Sequence, residues 1–405
     1  MDTAGMEHSV SWISSNSDEL ILRSWISSRM DIAELHRAGD DIKEMMKSEG
    51  YYSEPSKYEA ELSDGNITFA YSYPIKAFEK FLGYYDRENR IAFNPSISMR
   101  TDFSFCLAAC RYRKNGKTDT VVLDGYADNK YYKKAKFALD KFRSEYSING
   151  SFDFYIKRYR RYQKAKGLSE SSAVAAAVSR ALISNVFGDD AAKDDIFVSR
   201  YARLVSGSGT RAAHDGISMW LSYPGMDSRD CVAFKVGKSN ENLNYGVFPK
   251  YSDVATDNAH SIAVNSVFYG TWVSEKFSNV KRLISDHFDI NDLLKIGEND
   301  MLRLNSILMS GGLIIQTPDS LRILKEILKF KSKNEGFYFT ADTGPSIAIF
   351  SFDRSLIDEF RENVNDEYIE GSYDFKGYNN RMRDFIREAQ EYFTQTPGED
   401  EEDRL

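Results

Sequence analysis

The chain has few of the residues that build covalent or metal-based frameworks. Its 405 residues include three cysteines, five histidines and eight prolines. Cys106, Cys110 and Cys231 have apolar neighbours and no metal-ligand spacing to a histidine, which predicts free buried thiols and no metal site. No apolar run is long enough to cross a bilayer, and the first residues lack the basic and apolar regions of a secretory signal. The composition predicts a soluble cytoplasmic protein with no membrane partner.

Positive charge is also in short supply, except in one segment. The 53 Lys and Arg residues face 61 Asp and Glu residues, and the net charge of −8 argues against a general nucleic-acid binder. Residues 152–166 nevertheless interleave cations with aromatic rings. The cations are Arg158, Arg160, Arg161, Lys164 and Lys166, and the rings are Tyr155, Tyr159 and Tyr162.

Three interpretations of this basic segment stay open. It is a surface on which single-stranded nucleic acid stacks, a strand whose inward cations face a small and highly charged substrate, or a solvated strand edge. Period-two alternation places Arg158 and Arg160 on one face, with Tyr159 and Arg161 on the other. The acidic balance of the whole chain favours the substrate interpretation.

Two short motifs point to an anionic ligand. Residues 206–211 read Ser-Gly-Ser-Gly-Thr-Arg, in which small residues let backbone N–H groups converge on one anion and Arg211 adds a planar fork. Residues 340–346 read Thr-Ala-Asp-Thr-Gly-Pro-Ser and lie between two apolar runs, so they predict a tight turn that displays Asp342 between buried strands. The alternatives are a plain turn in the first case and an Asx turn in the second.

Taken together, the two motifs resemble signatures of the diphosphomevalonate decarboxylases of the GHMP superfamily. Family members carry Ala-Arg-x-Gly-Ser-Gly-Ser-x-x-Arg, which residues 202–211 match, and Thr-Phe-Asp-Ala-Gly-Pro-Asn, which residues 340–346 match. A family Ile-Lys-Tyr-Trp-Gly-Lys run aligns near residues 80–86. The resemblance covers about residues 67–395. It implies an α+β fold of two lobes with the active-site cleft between them, and it places Asp342 on the catalytic aspartate and Lys80 on the active-site lysine.

One loop departs from the ATP-using members. Their loop before an alanine-rich helix reads roughly Pro-Thr-Ala-Ala-Gly-Leu-Ala-Ser-Ser-Ala, whereas here Glu170 replaces a serine and Lys164 and Lys166 replace small residues. A carboxylate there would repel a nucleotide phosphate by roughly 4 kcal/mol at about 4 Å and an effective dielectric near 20. The sequence therefore predicts no normal use of ATP. The alternative is that Glu170 caps the helix and points away.

This departure favours resemblance to the archaeal subgroup that acts on mevalonate 3,5-bisphosphate without ATP. The implied reaction yields isopentenyl phosphate, CO2 and phosphate for isoprenoid and lipid synthesis, in a cytoplasmic homodimer with no cofactor and no nucleic-acid partner. Asp342 would face positive charge at C3, Lys80 would bridge Asp342 and phosphate, and Arg211 would bind a substrate anion. The substrate-binding candidates are Ser208, Thr210, Arg158, Arg161 and Ser171. The alternatives are an ATP-dependent mevalonate 3-kinase or phosphomevalonate decarboxylase and, third, a non-enzymatic nucleic-acid binder.

The chain divides into four predicted segments. Residues 1–66 form a helical extension, with helices around 18–26 and 32–48, and residues 67–230 form the first lobe. The second lobe spans residues 231–395, with helices over 279–308 and 381–392, and the acidic tail 396–405 is predicted to be disordered. Within the first lobe we expect strands over 103–112 and 118–123, a helix over 130–146, and an alanine-rich helix that stops at Gly188. His214 follows Arg211 by three positions, and a structural role is favoured for it.

Overall fold

A computed structural model describes residues 30–254 and 256–395. The helix predicted around residues 18–26 and the tail 396–405 lie outside these residues. The second helix of the extension, α1 (Ile32–Ser48), has the predicted bounds. It begins at Asp31, whose carboxylate accepts a hydrogen bond from the backbone N–H of Glu34 at 3.0 Å and so caps the first turn.

The described residues alternate helices and short strands. The strands are β1 (Ile67–Ser72), β2 (Ile75–Glu79), β3 (Tyr84–Asp86), β4 (Ile91–Ala92), β5 (Ser96–Arg100), β6 (Ser104–Arg113), β7 (Thr120–Leu123), β8 (Tyr126–Ala127), β9 (Ser151–Arg160), β10 (Ile217–Trp220), β11 (Ala233–Gly237), β12 (Asn244–Phe248), β13 (Phe337–Thr340), β14 (Ile347–Ser351) and β15 (Ile369–Glu370). The remaining helices are α2 (Asn129–Tyr146), α3 (Glu170–Phe187), α4 (Asp189–Lys193), α5 (Asp195–Val205), α6 (Gly209–Ala212), α7 (Thr256–Ala263), α8 (Tyr269–Ser285), α9 (Ile290–Ser310), α10 (Pro318–Lys331), α11 (Arg354–Val364) and α12 (Asn379–Gln395).

The first sheet carries helices on both faces. Its order is β1-β6-β9-β7-β8, with β7 parallel to β9 and the other pairs antiparallel. Cys106 and Cys110 on β6 belong to the buried cluster that includes α3, whereas Leu107 and Ala109 pack with Phe385 and the rest of α12. This alternation follows from the period of two along a strand. The last helix of the described residues therefore returns to the sheet of the first lobe.

Two further antiparallel sheets meet beside the first. Their orders are β11-β10-β5-β2 and β13-β14-β12-β15, and α9 packs against both β2 and β13. Strand β11 pairs with β10, where Trp220 lies opposite Ala233. The segment predicted to open the second lobe at residue 231 thus continues a sheet of first-lobe strands, and the lobe boundary at 230 stays a prediction.

Most predicted elements are confirmed, and one predicted helical stretch contains two helices. The strands β6 and β7, helix α2, and the end of α3 at Gly188 lie where the sequence predicted them. The helical stretch predicted over 279–308 comprises the end of α8 and most of α9. His287 and Phe288 have positive φ angles of 51° and 54°, which a helix does not tolerate, and Asp289 caps the start of α9. Among the described residues, no helix is long and apolar enough to cross a membrane.

Candidate active site

A cavity of about 580 Å³ opens at the N-terminus of α3, beside the end of β9 and the turn between β13 and β14. Basic residues dominate its lining in a chain whose net charge is −8. Such a concentration of cations in a concave site raises the local concentration of anions. The basic lining residues are Lys80, Arg90, Lys130, Lys134, Arg158, Arg160, Lys164, Lys166 and Arg211, and the acidic ones are Glu170 and Asp342.

Asp342 is held at this cavity by three contacts, two from β2 and one from the residue before α3. Its Oδ1 accepts the backbone N–H of Ala77 at 3.0 Å, and its Oδ2 accepts the hydroxyl of Ser169 at 3.0 Å. The ammonium of Lys76 lies 3.1 Å from Oδ2. The side chain is 12% exposed, so it reaches the cavity while its orientation is fixed. The turn predicted for residues 340–346 therefore displays its aspartate as expected.

Lys80 lines the cavity without forming the ion pair that the sequence predicted. Its ammonium donates to the hydroxyl of Thr340 at 2.8 Å and to the carbonyl oxygens of Phe78 and Gly297 at 3.3 Å each. Lys76 takes the place beside Asp342. The reason is local, because the register of β2 shifts just before the strand ends at Glu79, and Lys80 leaves the strand. The proposed bridge from Lys80 to Asp342 is thus corrected, whereas a catalytic role for Lys80 stays a prediction.

A buried network of charges lies behind Lys80. Asp300 accepts the backbone N–H of Lys80 at 2.8 Å and the indole N–H of Trp272 at 2.8 Å, and the ammonium of Lys276 contacts both Asp300 and Glu79. Burial lowers the pKa of Lys80 to about 8, although Asp300 and Asp342 act in the opposite direction. Burial likewise raises the pKa of Glu79 to about 7, opposed by Lys276. The charge of Lys80 is therefore sensitive to pH in the neutral to alkaline range.

Arg211 is a buried cation with unmatched donors. It is 2% exposed, and its Nε and Nη1 have no hydrogen-bond partner within the part of the chain that the structure describes. Its guanidinium lies 5.6 Å from the ring centre of Phe81. Burial lowers the pKa of Arg211 to about 10, opposed by Asp342. Because buried donors in folded proteins almost always find acceptors, this fork at a cavity wall indicates an anionic ligand.

The glycine-rich motif places only part of its predicted anion site at the cavity. Ser208 lines the cavity, as does Ser206. Thr210 is fully buried, and its hydroxyl donates to the carbonyl oxygen of Gly207 at 2.6 Å. That bond joins the short helix α6 to the turn that precedes it, so Thr210 supports the motif rather than facing a ligand. Its assignment to substrate binding is corrected on this geometry.

Glu170 faces the cavity as the first residue of α3, and two arginines surround it. Arg160 donates to its carboxylate at 2.6 and 3.0 Å, Arg158 donates at 3.3 Å, and the hydroxyl of Tyr162 also binds it. Arg158 donates further to Asp124 at 2.7 and 2.9 Å. Glu170 does not point away from the site. Its charge is compensated, however, so the repulsion predicted for an isolated carboxylate overstates its effect.

The far face of β9 does not contribute to the cleft. Arg161, the residue after the end of β9, lies outside the cavity, and its guanidinium donates to Asp102 at 3.3 Å and to Ser372 at 3.4 Å. Its assignment to phosphate binding is corrected. Tyr155 packs against Phe385 and Tyr392 of α12, with ring centres 5.8 and 5.3 Å apart. That tyrosine presents no surface on which a base could stack.

Sequence reasoning placed Ser171 at the cavity, where the structure also has it, but it missed several lining residues. Lys130 and Lys134 are spaced to share one face of the predicted helix α2, which was a usable signal. His260 accepts the N–H of Gly83 on Nδ1 at 3.0 Å, so its neutral ring carries its proton on Nε2. His214 bonds the carbonyl oxygen of Ala233 at 2.8 Å, as a structural histidine does. No group of three His, Cys, Asp or Glu residues in the described ranges could hold a metal.

Comparison with known proteins identifies the family. A family model described as the diphosphomevalonate decarboxylase-like N-terminal domain matches residues 72–233. A mevalonate 3,5-bisphosphate decarboxylase of Thermoplasma volcanium is 64% identical over 364 residues, which cover 90% of this chain and 98% of the relative. The chain belongs to the diphosphomevalonate decarboxylase family. A phosphomevalonate decarboxylase of Haloferax volcanii is a more distant member, 23% identical over 73% of this chain and 91% of its own length.

Solved structures confirm the fold of this diphosphomevalonate decarboxylase family member. The mevalonate diphosphate decarboxylase of Staphylococcus aureus has a TM-score of 0.65 at 20% identity, covering 76% of this chain and 95% of that structure. The mevalonate-3-kinase of Thermoplasma acidophilum has a TM-score of 0.62 at 14% identity, covering 76% and 96%. The predicted two-lobed α+β fold of the GHMP type is therefore confirmed.

Proposed function

We propose that the chain catalyses the ATP-independent decarboxylation of mevalonate 3,5-bisphosphate to isopentenyl phosphate, CO2 and inorganic phosphate. The observation that carries the proposal is the difference between cations of the cleft that bind protein carboxylates and a cation whose donors are unmatched among the described residues. Among the residues that the structure describes, buried Arg211 keeps unmatched donors in the field of Asp342, whereas Arg158 and Arg160 near the start of α3 are engaged by carboxylates. The name of the T. volcanium relative supports the same reaction.

The proposed reaction is a decarboxylating elimination. The bond between C3 and its phosphate oxygen breaks, the phosphate leaves with the electron pair, and positive charge develops at C3. The bond between C1 and C2 then breaks, its electrons form the double bond between C2 and C3, and CO2 departs. No side chain has to accept a proton. The protein must instead stabilise a departing anion with cations and the charge at C3 with a carboxylate.

The geometry matches these two requirements. Asp342 is fixed by the N–H of Ala77 and the hydroxyl of Ser169, so it can face C3 without reorganising during the reaction. Arg211 supplies a planar fork of donors for the substrate carboxylate or a phosphate. Lys80 contributes a positive charge at the cavity wall, while its hydrogen bonds remain with protein acceptors.

A substrate already phosphorylated at C3 needs no nucleotide, and the loop before α3 fits that simplification. In this chain Glu170 occupies the first turn of α3, where nucleotide phosphates bind in enzymes that use a helix N-terminus for them. Its bonds to Arg158 and Arg160 also withdraw two cations from a nucleotide. ATP would have to displace an internal ion-pair cluster rather than enter a prepared site.

The decisive experiment measures CO2 and phosphate release from mevalonate 3,5-bisphosphate by the purified protein with no nucleotide present. We expect turnover, and we expect it to persist in EDTA. Strict dependence on ATP with one ADP formed per CO2 would overturn the proposal and assign an ATP-dependent kinase or decarboxylase. Salt-sensitive binding to single-stranded nucleic acid without turnover would instead indicate a non-enzymatic nucleic-acid binder.

We also propose that the enzyme acts as a homodimer in the cytoplasm, in isoprenoid and lipid synthesis. Family resemblance supports the dimer, and the free buried state of Cys106, Cys110 and Cys231 is what a reducing compartment maintains. Light scattering coupled to gel filtration tests the dimer. A mass near 46.3 kDa across the micromolar range would show a monomer and remove this part of the proposal.

A further inference from the structure

Two lysines of one segment occupy different places in the site. Lys80 lines the cavity, whereas Lys76 lies behind it and is 1% exposed. The ammonium of Lys76 is 3.1 Å from Asp342 and donates to the carbonyl oxygen of Gly167 at 2.7 Å. Lys76 on β2 therefore contacts both the aspartate turn and the loop before α3.

Ser169 makes a second connection between the same two segments. It is the N-cap of α3, but its side chain forms no capping bond with the helix. Its φ of 53° lies in the left-handed region, and its hydroxyl donates to Asp342 at 3.0 Å. A serine diverted from capping forgoes about 1 kcal/mol of helix stabilisation, and a non-glycine residue in this region adds strain. Strain of this kind persists where surrounding contacts over-determine the conformation.

The backbones of the two segments also touch. A Cβ atom at Gly344 would lie 2.6 Å from the nitrogen of Gly167, which is closer than any side chain can approach. Gly167 itself has a φ of 81°. The aspartate turn therefore packs directly against the loop at Gly167, and Lys76 contacts both segments.

We propose that Lys76 is a positioning residue, which holds Asp342 and the loop at Gly167 in one arrangement and so aims the carboxylate at the reacting carbon. The inference rests on the proposed function for its consequence in catalysis. Lys80 does not replace Lys76, because its three N–H donors are taken by Thr340, Phe78 and Gly297. Loss of Lys76 removes its ion pair with Asp342 and its hydrogen bond to Gly167, and so weakens the hold on both segments.

A double-mutant cycle tests whether Lys76 acts through Asp342. We expect Lys76→Met to lower kcat by roughly tenfold to a hundredfold, the scale for misplacing a catalytic group, while KM changes less than about threefold. In an Asp342→Asn background the same change should cost less than about threefold more. If the losses in kcat of the two single variants multiply in the double variant, the proposal is overturned. Lys43→Met is the matched control, because it breaks a partly buried ion pair with Asp230 at 2.9 Å away from the cavity and should leave kcat unchanged.

A second measurement does not depend on turnover. Hydrogen exchange should become faster in Lys76→Met both at residues 163–169 and at residues 340–346, and neither segment should respond to Lys43→Met. Unchanged exchange in both segments would overturn the proposal that Lys76 holds the two segments together, even if activity fell. If Lys76→Met does not fold, Lys76→Gln, which keeps a donor and loses the charge, enters the same cycle and exchange measurement. Absence of turnover in the unmodified protein would remove the proposed function, while exchange still decides the role of Lys76.

Discussion

The half of the cleft around Asp342 and Arg211 leaves buried donors unmatched, whereas the half around Glu170 pairs its cations with carboxylates. Arg211 is 2% exposed, and two of its donor atoms have no acceptor among residues 30–254 and 256–395. Arg158 is bound by both Asp124 and Glu170. Both arginines line the same cavity, yet only one is prepared for a ligand.

This difference shows that counting the charged residues that line a cavity does not locate an anion site. A cation contributes to ligand binding when its donors lack protein acceptors, because the ligand then satisfies groups whose desolvation is already complete. At the Glu170 end, a phosphate must first displace carboxylates from the guanidinium groups. The comparison predicts large losses from changes near Asp342 and small ones from changes near Glu170.

The largest effect is expected from Asp342→Asn. The substitution keeps the size of the side chain but removes the negative charge proposed to face C3. We expect turnover of the bisphosphate to fall by at least about a hundredfold, the scale for removing one electrostatic stabiliser, with most substrate affinity retained. Steady-state kinetics and an unchanged melting temperature check this expectation. Near-normal turnover in a folded variant would remove Asp342 from the mechanism.

Arg211→Lys should be nearly as damaging as Arg211→Ala. Lysine keeps the charge but cannot reproduce a planar two-pronged contact. If the guanidinium of Arg211, whose Nε and Nη1 are unmatched among the described residues, binds a substrate anion through two N–H groups, we expect both variants to lose at least about tenfold in kcat/KM. Kinetics of the two variants side by side provide the test. Full activity in Arg211→Lys would mean that only the charge matters.

The pH dependence of turnover should report on Lys80. Since the pKa of Lys80 is lowered to about 8, its positive charge is present below that pH and lost above it. We expect kcat/KM to fall by about tenfold per pH unit above about pH 8, and Lys80→Arg, whose charge persists, to abolish this fall. A wild-type profile that stays flat to pH 9.5 would contradict the role of this charge.

Unfolding does not explain such a loss. Between pH 8 and the ordinary lysine value of 10.5, the unfolded chain holds more protons at this position than the folded chain, so Lys80 makes folding more favourable as the pH rises. Glu79, whose pKa is raised from 4.5 to about 7, makes folding less favourable only as the pH rises from 4.5 to about 7, which is below the range of this test. Melting temperatures across pH 8–9.5 separate the two effects.

The sequence predicted those parts of the site that depend on local patterns. Turn chemistry predicts the turn at Asp342, and strand alternation predicts the face shared by Arg158 and Arg160. Family motifs predict that Ser208 and Ser171 lie at the cleft. The two-lobed fold followed from the same motifs. These features need little information about which segments meet in space.

The remaining parts depend on contacts between distant segments. The exchange of Lys76 for Lys80 beside Asp342 follows from a register shift at the end of β2. The packing of α12 on the first sheet depends on the tertiary arrangement, and so does the hydrogen bond from Arg161 to Asp102. A period or a motif specifies which way a side chain points along its own element, but not which partner from another element meets it.

The smallest effect on decarboxylation is expected from Glu170→Ser, which gives the sharpest test of the compared halves. The change restores the hydroxyl that ATP-using relatives carry and frees Arg158 and Arg160 from one carboxylate each. We expect turnover of the bisphosphate to stay within about threefold, since Arg211 and Asp342 are untouched. ATP binding, measured by calorimetry, should become at least about tenfold tighter, because two cations gain free donors at a helix N-terminus. Glu170→Gln is the matched control, since it removes the charge and retains the length of the side chain. If the unmodified protein already binds ATP as tightly as Glu170→Ser, the paired half of the cleft does not exclude nucleotide, and the structural argument for a nucleotide-free reaction loses its support.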